Sequence, residues 1–341
     1  SSLTFEPSDA ATGARTSIRI EAVLHSGRTV SVAMTPGGAA ARRAGKPPTA
    51  LFLPASGRAD GLVASGEIAP PVIEQALERS RSAALALVSS FETWVEEQVR
   101  GLVVLIEEPE LFLRPQAQRA LYRLLHEFAA LGNQVLYSTH AATFLNVARL
   151  EELALVECDA AGVTHIRRPR ALPELAAFRA LNEFDADRSE LLLARAALLV
   201  EGRTEKLVFP FLFRALGYDA DAEGISIVEC GGKPNIPVIA EVCNVVGVPY
   251  VVVHDRDADP GRRPIASERA VNEAIRRVAG PRRTIELARD FEAVARLHGH
   301  RHKPERARAW FASIDSPDDV PVQLAAAVTQ IVALARGGSA V

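Results

Sequence analysis

Residues 196–205 read AALLVEGRTE, and residues 250–257 read YVVVHDRD. Each stretch is an apolar run of strand length that ends in acidic side chains. After the first run, Gly202 permits a turn into a predicted helix over 205–216, and a further apolar run at 225–229 precedes the second stretch. Because strands alternate with helices here, the sequence predicts a parallel sheet flanked by helices and therefore an α/β fold.

The acids that end these runs are expected at one edge of that sheet. Glu201 ends the first strand, and Glu205 lies four residues later in the first helical turn. Asp255 and Asp257 end the later strand, and residues two apart in an extended chain point to the same side. Divalent metals would make four such carboxylates a template for phosphodiester chemistry at the edge where α/β sheets bind ligands. Unrelated surface acids are the alternative for either motif alone.

A second strand–helix–strand pattern lies earlier in the chain. The apolar run 102–106 leads into Glu107-Glu108-Pro109-Glu110, and the run 134–138 ends in Ser138-Thr139-His140. Parallel pairing would bring His140 beside the carboxylates, which could hold magnesium and position water against a phosphate. Taken separately, the acids could be a solvated helix N-terminus and the histidine a structural residue.

The stretch VVLIEEPELFLRPQ, residues 103–116, resembles the Walker B and D-loop segment of ABC-type ATPases related to RecF and SMC proteins. The resemblance implies that Glu107 helps to hold magnesium, that Glu108 polarises the attacking water and that His140 is the switch histidine. No G-x-x-x-x-G-K-[ST] loop occurs, so this sequence is not expected to hydrolyse ATP by the usual mechanism. That loop is expected either to precede this sequence or to have been lost, and the missing initial Met favours truncation.

Residues 198–205 and 251–257, with the glycine-rich stretch 228–235 between them, resemble the Toprim domain of topoisomerases, primases and certain nucleases. The resemblance implies that Glu201 is a metal ligand or acid–base group and that Asp255 and Asp257 are metal ligands. An ABC-type ATPase followed by a Toprim domain is the arrangement of the OLD (overcoming lysogenisation defect) nucleases, which residues 78–310 resemble.

The OLD resemblance implies a site for two divalent ions, Mg²⁺ or Mn²⁺. It implies one ion at Glu201, Asp255 and Asp257 and a second at Glu205, Asp290 and Glu292. Metal-activated water would attack phosphorus, and Lys303 would stabilise the developing charge. A solvated helical lysine is the alternative interpretation of Lys303.

The formal net charge of −3 conceals a basic stretch near the C-terminus. Residues 262–308 contain thirteen Arg or Lys and six Asp or Glu. Solvated helix faces are the simple explanation, but beside a metal site such a surface suits the phosphate backbone of duplex DNA. The candidate DNA-binding residues are Arg262, Arg263, Arg282, Arg283 and, in the glycine-rich stretch, Lys233.

The sequence therefore predicts a partial ABC-type ATPase domain over 1–185 and a Toprim nuclease domain with a helical C-terminal part over 186–341. The predicted function is metal-dependent cleavage or nicking of DNA, regulated by the ATPase domain and its ATP in the intact protein. The resemblance also implies a homodimer through the ATPase part and a role in phage defence or DNA repair. The alternatives are a catalytically silent DNA-binding or regulatory ATPase partner, and another Toprim activity such as that of a topoisomerase or primase.

Cysteine usage and hydropathy give an expectation about the compartment. The chain has 3 cysteines and no CxxC pair, a pattern that fits reduced thiols in a cytoplasmic protein. No apolar run reaches the roughly 18 residues of a transmembrane helix, so no membrane association is expected.

Overall fold

The chain folds as two compact units, Ser1–Phe144 and Leu145–Val341. The predicted domain boundary after residue 185 concerns functional domains and stays a prediction. The computed structural model describes side chains only from residue 84 onward. The backbone is described at residues 3–7, 18–23, 29–35, 38–42, 49–53, 84–147, 149–158, 162–172, 186–256, 266–287, 291–295, 310, 314 and 316–337.

Two sheets and two helices form the described part of the first unit. The first sheet is antiparallel, in the order β1 (Leu3–Pro7), β2 (Ile18–Val23), β3 (Thr29–Thr35) and β4 (Gly38–Arg42). The second is parallel, in the order β5 (Thr49–Leu53), β6 (Leu102–Glu107) and β7 (Gln134–Ser138). The helices are α1, described over 84–96, and α2 (Pro115–Ala130).

A buried asparagine fixes where β6 begins. Asn133 lies in the turn after α2, and its Nδ2 donates to the carbonyls of Val99 (2.7 Å) and Phe128 (2.9 Å). Its Oδ1 accepts the N–H of Leu102 at 2.9 Å. These bonds satisfy buried polar groups and set the register from which the acids after β6 emerge.

In the part of the second unit that the structure describes, four helices cover a parallel sheet. The sheet has the order β11-β10-β12-β13, with β10 (Ala196–Val200), β11 (Ile225–Glu229), β12 (Tyr250–Asp255) and β13 (Thr284–Leu287). The helices are α3 (Arg203–Ala215), α4 (Ile236–Val246), α5 (Ala266–Ala279) and α6 (Val322–Ala335). A separate antiparallel pair comprises β8 (Leu155–Cys158) and β9 (Thr164–Arg167). Short helical segments of the second unit lie at Leu150–Glu152, Ala186–Ser189, Glu190–Leu193, Lys233–Asn235, Pro281–Arg283, Phe291–Val294 and Pro317–Asp319, and one of the first unit lies at Ala142–Phe144.

The parallel sheet of the second unit is buried on both faces. Leu199 of β10 and Val252 of β12 belong to the core formed with α4 and α5. Leu198 and Val251, which point the other way, belong to the core formed with α3 and α6. Parallel strands covered on both sides have continuous rather than alternating apolar sequences, and this is why AALLV and YVVV could be recognised as strands.

The predicted α/β class with a parallel sheet is confirmed, but strand β13 of the second unit's sheet was not predicted. The tail after residue 262 was expected to be mainly helical, whereas Thr284–Leu287 forms the edge strand β13. Its sequence, TIEL, follows two arginines and contains a glutamate, so no apolar run marks it. As an edge strand it needs little apolar surface, and Leu287 is its only fully buried residue.

The strand order reverses at β10. The chain passes from β10 to β11 on one side and then returns to β12 on the other. The carboxyl ends of β10 and β12 therefore border the crevice in which open α/β sheets bind their ligands.

Candidate active site at the carboxyl edge of the sheet in the second unit

Glu201 and Asp255 emerge side by side at this crevice. Strands β10 and β12 pair in parallel with Val200 opposite Val253, so Glu201 directly follows β10 and Asp255 ends β12. Neighbouring strands lie about 4.8 Å apart. Both acids are half-buried. Two of the predicted metal ligands thus lie where adjacent strands end, at the same edge of the sheet.

The carboxylate of Glu205 lies over the turn that follows Glu201. Gly202 is the N-terminal cap of α3, and a Cβ built on it would lie 3.4 Å from Glu205 Oε2. Glu205 is only 8% exposed. A carboxylate in the first turn is also favoured by the helix dipole. The structure therefore places the Glu205 carboxylate against the turn that directly follows Glu201.

The glycine-rich loop after β11 connects the two strand ends. The N–H of Gly232 donates to the carbonyl of Glu201 at 2.9 Å. The next residue, Lys233, is 6% exposed, and its ammonium donates to the carbonyl of Asp255. The structure thus places Lys233, a candidate DNA-binding residue, inside the site.

Buried polar side chains fix the backbone on both sides of Asp255. His254 is 1% exposed, and its Nδ1 lies 2.9 Å from the Asp255 carbonyl. Because a carbonyl only accepts, we assign the hydrogen to Nδ1; burial lowers the pKa of His254 and favours the neutral ring. Asn272 Nδ2 donates to the Arg256 carbonyl (3.2 Å), and the Arg256 N–H donates to Leu287 (3.1 Å).

The acids at this edge fit a divalent cation by their chemistry. Glu201, Glu205 and Asp255 offer carboxylate oxygens, the ligand type that Mg²⁺ and Mn²⁺ prefer. Within the ranges of the chain that the structure describes, no three His, Cys, Asp or Glu side chains are already arranged to hold a metal ion.

Several predicted site residues lie outside the described residues. Of Glu292 only the backbone is described, in the helical turn Phe291–Val294 that begins four residues after β13 ends. Because β13 is parallel to β12, the chain leaves it at the carboxyl edge. The residues outside are Asp257, Asp290, Lys303, Arg262 and Arg263.

The two described arginines of the predicted DNA surface lie at the opposite edge of the sheet. Arg282 and Arg283 precede β13 and therefore lie at its amino end. The guanidinium of Arg283 lies 5.1 Å from the ring centroid of Tyr250, the first residue of β12, and 3.4 Å from Asn244 Oδ1. The structure does not bring these arginines together with the acids.

Two exposed arginines that were not among the predicted DNA-binding residues lie at the carboxyl edge. Arg203 is the first residue of α3, and Arg256 directly follows Asp255. Both side chains are exposed. The sequence could have indicated them, since each lies within two residues of a predicted metal ligand. The prediction instead relied on the number of basic residues, which is greatest in residues 262–308.

In the first unit, the structure brings Glu108 and His140 together. Glu107 pairs with Ser138 across β6 and β7, and the Glu108 N–H donates to the Ser138 carbonyl at 3.0 Å. His140 Nε2 lies 3.4 Å from Glu108 Oε1. Burial and, secondarily, the neighbouring Glu110 raise the pKa of Glu108.

Glu110 is a residue that sequence reasoning did not single out. It is 8% exposed, and its Oε1 accepts hydrogen bonds from the Thr139 hydroxyl (2.6 Å) and the His140 N–H (3.0 Å). It thus holds the backbone turn that carries His140. Its signal was its place as the third acid of the EEPE motif.

Two sequence families match the chain. Residues 192–257 match "Overcoming lysogenization defect protein-like, TOPRIM domain". Residues 83–146 match "AAA domain, putative AbiEii toxin, Type IV TA system". The first match contains Glu201, Glu205, Asp255 and Asp257, and the second contains Glu107, Glu108 and His140. In the part of the chain whose helices are described, none is long and apolar enough to span a membrane.

Two curated relatives and one solved structure are similar to the chain to the following extents. The chain is 34% identical over 267 residues to the OLD nuclease of Thermus scotoductus, covering 72% of this chain and 51% of that protein. It is 29% identical over 174 residues to the Old nuclease of Escherichia phage P2, covering 48% and 29%. The C-terminal region of the Xanthomonas campestris pv. campestris OLD protein aligns with a TM-score of 0.32 at 18% identity, covering 43% of this chain and 97% of that one.

The chain thus spans about half the length of its Thermus scotoductus relative. Both of its motif regions fall within family matches, in the order that the sequence predicted. The predicted resemblance is therefore confirmed: this chain is similar to OLD nucleases, with a segment that matches the AAA family model followed by a segment that matches the OLD-like TOPRIM model.

Proposed function

We propose that the second unit is a metal-dependent nuclease that cleaves phosphodiester bonds of DNA. The observation that carries the proposal is the arrival of Glu201 and Asp255 at adjacent strand ends where the strand order reverses. Glu205 lies against the turn at Gly202 that follows Glu201, and it is nearly buried. The curated relatives named above are nucleases by name, and the TOPRIM match covers these three acids.

We assign the following roles in metal binding and catalysis to residues of this chain. Glu201, Asp255 and Asp257 would hold one Mg²⁺ or Mn²⁺. A second ion would be held by Glu205, Asp290 and Glu292. Bound cations would supply activation of water and stabilisation of the leaving oxygen. Lys303 would place a positive charge against the scissile phosphate.

For the first unit we propose a regulatory ATP site in the intact protein. Glu107 would help to hold magnesium, Glu108 would accept a proton from the attacking water and His140 would sense the γ-phosphate. A carboxyl whose pKa burial has raised suits the role of general base. Homodimerisation through this unit and a role in phage defence or DNA repair are further proposals from the resemblance. Because this sequence has no phosphate-binding loop, DNA cleavage is expected without ATP.

A plasmid-nicking assay tests the proposal. We expect supercoiled DNA to be nicked or linearised with Mn²⁺ or Mg²⁺ and to stay intact with EDTA. Glu201→Gln and Asp255→Asn should each lower the rate at least roughly 100-fold, a loss typical of removing a group that stabilises the transition state. Glu223→Gln is the matched control, because Glu223 lies just before β11 at the amino edge and pairs with Arg336.

The other outcomes discriminate the alternatives. Cleavage that persists in both site variants would refute the proposed site. A lack of metal-dependent cleavage under every condition would favour a catalytically silent DNA-binding or regulatory ATPase partner. Relaxation of the plasmid without lasting nicks would favour a topoisomerase-like Toprim activity, and ATP turnover by this chain would contradict the expectation drawn from the missing loop.

A further inference from the structure

A buried lysine lies between the two strand ends of the candidate metal site. Lys233 is 6% exposed, and its ammonium donates to the main-chain carbonyl of Asp255. An ammonium removed from water is costly unless hydrogen bonds and opposite charges surround it. At this edge the opposite charges belong to the acids that follow β10 and β12.

The loop that carries Lys233 is fastened to the end of β10. The Cys230 N–H donates to the Val200 carbonyl and the Gly232 N–H to the Glu201 carbonyl, both at 2.9 Å. The side chain of Asn235 closes the loop by donating to the Cys230 carbonyl at 3.0 Å. Lys233 therefore extends from a fixed position.

Both glycines before Lys233 are required by geometry. Gly231 and Gly232 have φ values of +72° and +113°, in the left-handed region that favours glycine. A Cβ on Gly231 would lie 2.5 Å from Nη2 of Arg188, whose Nε donates to the Glu229 carbonyl at 2.9 Å. These glycines therefore hold the loop in a conformation that places the Lys233 ammonium at the Asp255 carbonyl.

We propose that Lys233 is a positioning residue that fixes Asp255 relative to Glu201 and balances the negative charge of the acids before metal binds. Two consecutive loop residues perform the first task, since Gly232 holds the Glu201 carbonyl and Lys233 holds the Asp255 carbonyl. The inference deepens the proposed function and rests on it for the identity of the metal site.

The proposal makes the stability of the second unit depend on two sources of positive charge. A divalent cation at the acids would supply the charge that Lys233 supplies in its absence. A chain without the ammonium should therefore be less stable when metal is removed and should gain more stability when metal is added.

Thermal unfolding of the full chain, in EDTA and in excess Mn²⁺, tests this dependence. We expect Lys233→Met to lower the Tm in EDTA by roughly 3 °C or more, and Mn²⁺ to raise its Tm more than that of the wild type. Lys233→Arg keeps the charge and should stay closer to the wild type. The matched control is Arg167→Met, because Arg167 also donates to main-chain carbonyls, those of Val245 and Val246, but at the end of α4. It should lower the Tm equally in both solutions.

A second arm needs no metal. In EDTA, Lys233→Met should cost less stability in an Asp255→Asn background than in the wild type, because one of the repelling charges is gone. Equal costs in the two backgrounds, or equal Mn²⁺-induced rises in the wild type and Lys233→Met, would overturn the proposal. The cost of Lys233→Met could be smaller in the Asp255→Asn background while the wild-type chain neither binds Mn²⁺ nor cleaves DNA. That result would count against the proposed nuclease and would still support the charge-balancing role of Lys233.

Kinetics separates positioning from DNA contact. If Lys233 positions Asp255, Lys233→Met should lower kcat and leave the KM for DNA and its salt dependence unchanged. A raised KM with a smaller salt dependence would mean that Lys233 contacts a DNA phosphate, and would contradict the proposal.

Discussion

Cys230 and Cys243 illustrate how burial determines what a side chain can do. Both are free and fully buried in the core that α4 and α5 form with the sheet. Burial raises the pKa of the Cys243 thiol to about 12. Because the thiolate is the reactive form, these cysteines are core residues and not nucleophiles or metal ligands.

This burial predicts an alkaline loss of stability. The unfolded thiol ionises near its ordinary value of 9.0, whereas folded Cys243 keeps its proton up to about 12. Above the lower value the unfolded state holds fewer protons, so the free energy of unfolding falls as pH rises, by about 1.4 kcal/mol per pH unit for each thiol.

Urea unfolding between about pH 9 and pH 11 measures this slope. Cys243→Ala should destabilise the chain at every pH by removing core volume, but its slope should be shallower than that of the wild type by about 1.4 kcal/mol per pH unit. If the free energy of unfolding fell equally steeply with pH in both proteins, ionisation of Cys243 would not be the cause of the alkaline destabilisation.

At the scale of secondary-structure elements, the sheet edge at which a charged side chain lies depends on which end of a strand it adjoins. The apolar runs of β10 and β12 were visible in the sequence, so the edge that receives Glu201 and Asp255 could be predicted. Strand β13 was hidden because it is short, contains a glutamate and follows two arginines, and Arg282 and Arg283 could not be assigned to the amino edge without it. Likewise, no pattern in the sequence indicates that Lys233 is buried, because its burial results from the long-range contact with Asp255.

The edge assignment predicts which arginines bind DNA. Arg203 and Arg256 are exposed at the carboxyl edge, and the Arg256 backbone is fixed by Asn272 and Leu287. We expect the double variant Arg203→Gln/Arg256→Gln to weaken DNA binding. It should also reduce the slope of log affinity against log salt by about 0.9 for each DNA phosphate that the variant no longer neutralises.

Fluorescence anisotropy with duplex DNA, in Ca²⁺ in place of Mn²⁺, provides the measurement. Arg282→Gln/Arg283→Gln removes the same charge from the opposite edge and should leave the slope unchanged. The reverse result would place the DNA at the amino edge, away from the acids.

At the scale of the whole chain, the two candidate sites belong to different compact units. Glu108 and His140 lie in the first unit, whose core includes Phe91. Glu201 and Asp255 lie in the second, whose core includes Phe213. Each unit also has its own tryptophan: Trp94 packs against Phe91 with ring centroids 5.0 Å apart, and Trp310 packs against Phe291 at 6.3 Å. Since the chain has only 2 tryptophans, each can report on one unit.

This arrangement predicts that cleavage follows the stability of the second unit. Phe91→Ala and Phe213→Ala each remove a fully buried ring and should each cost about 3–5 kcal/mol. Trp310→Phe and Trp94→Phe backgrounds would report the unfolding of the first and second unit separately. At a temperature where only the destabilised unit has unfolded, Phe91→Ala should still cleave DNA with Mn²⁺ and Phe213→Ala should not. Loss of cleavage in step with the Trp94 signal would instead show that catalysis needs the first unit folded, and the nuclease activity could then not be assigned to the second unit alone.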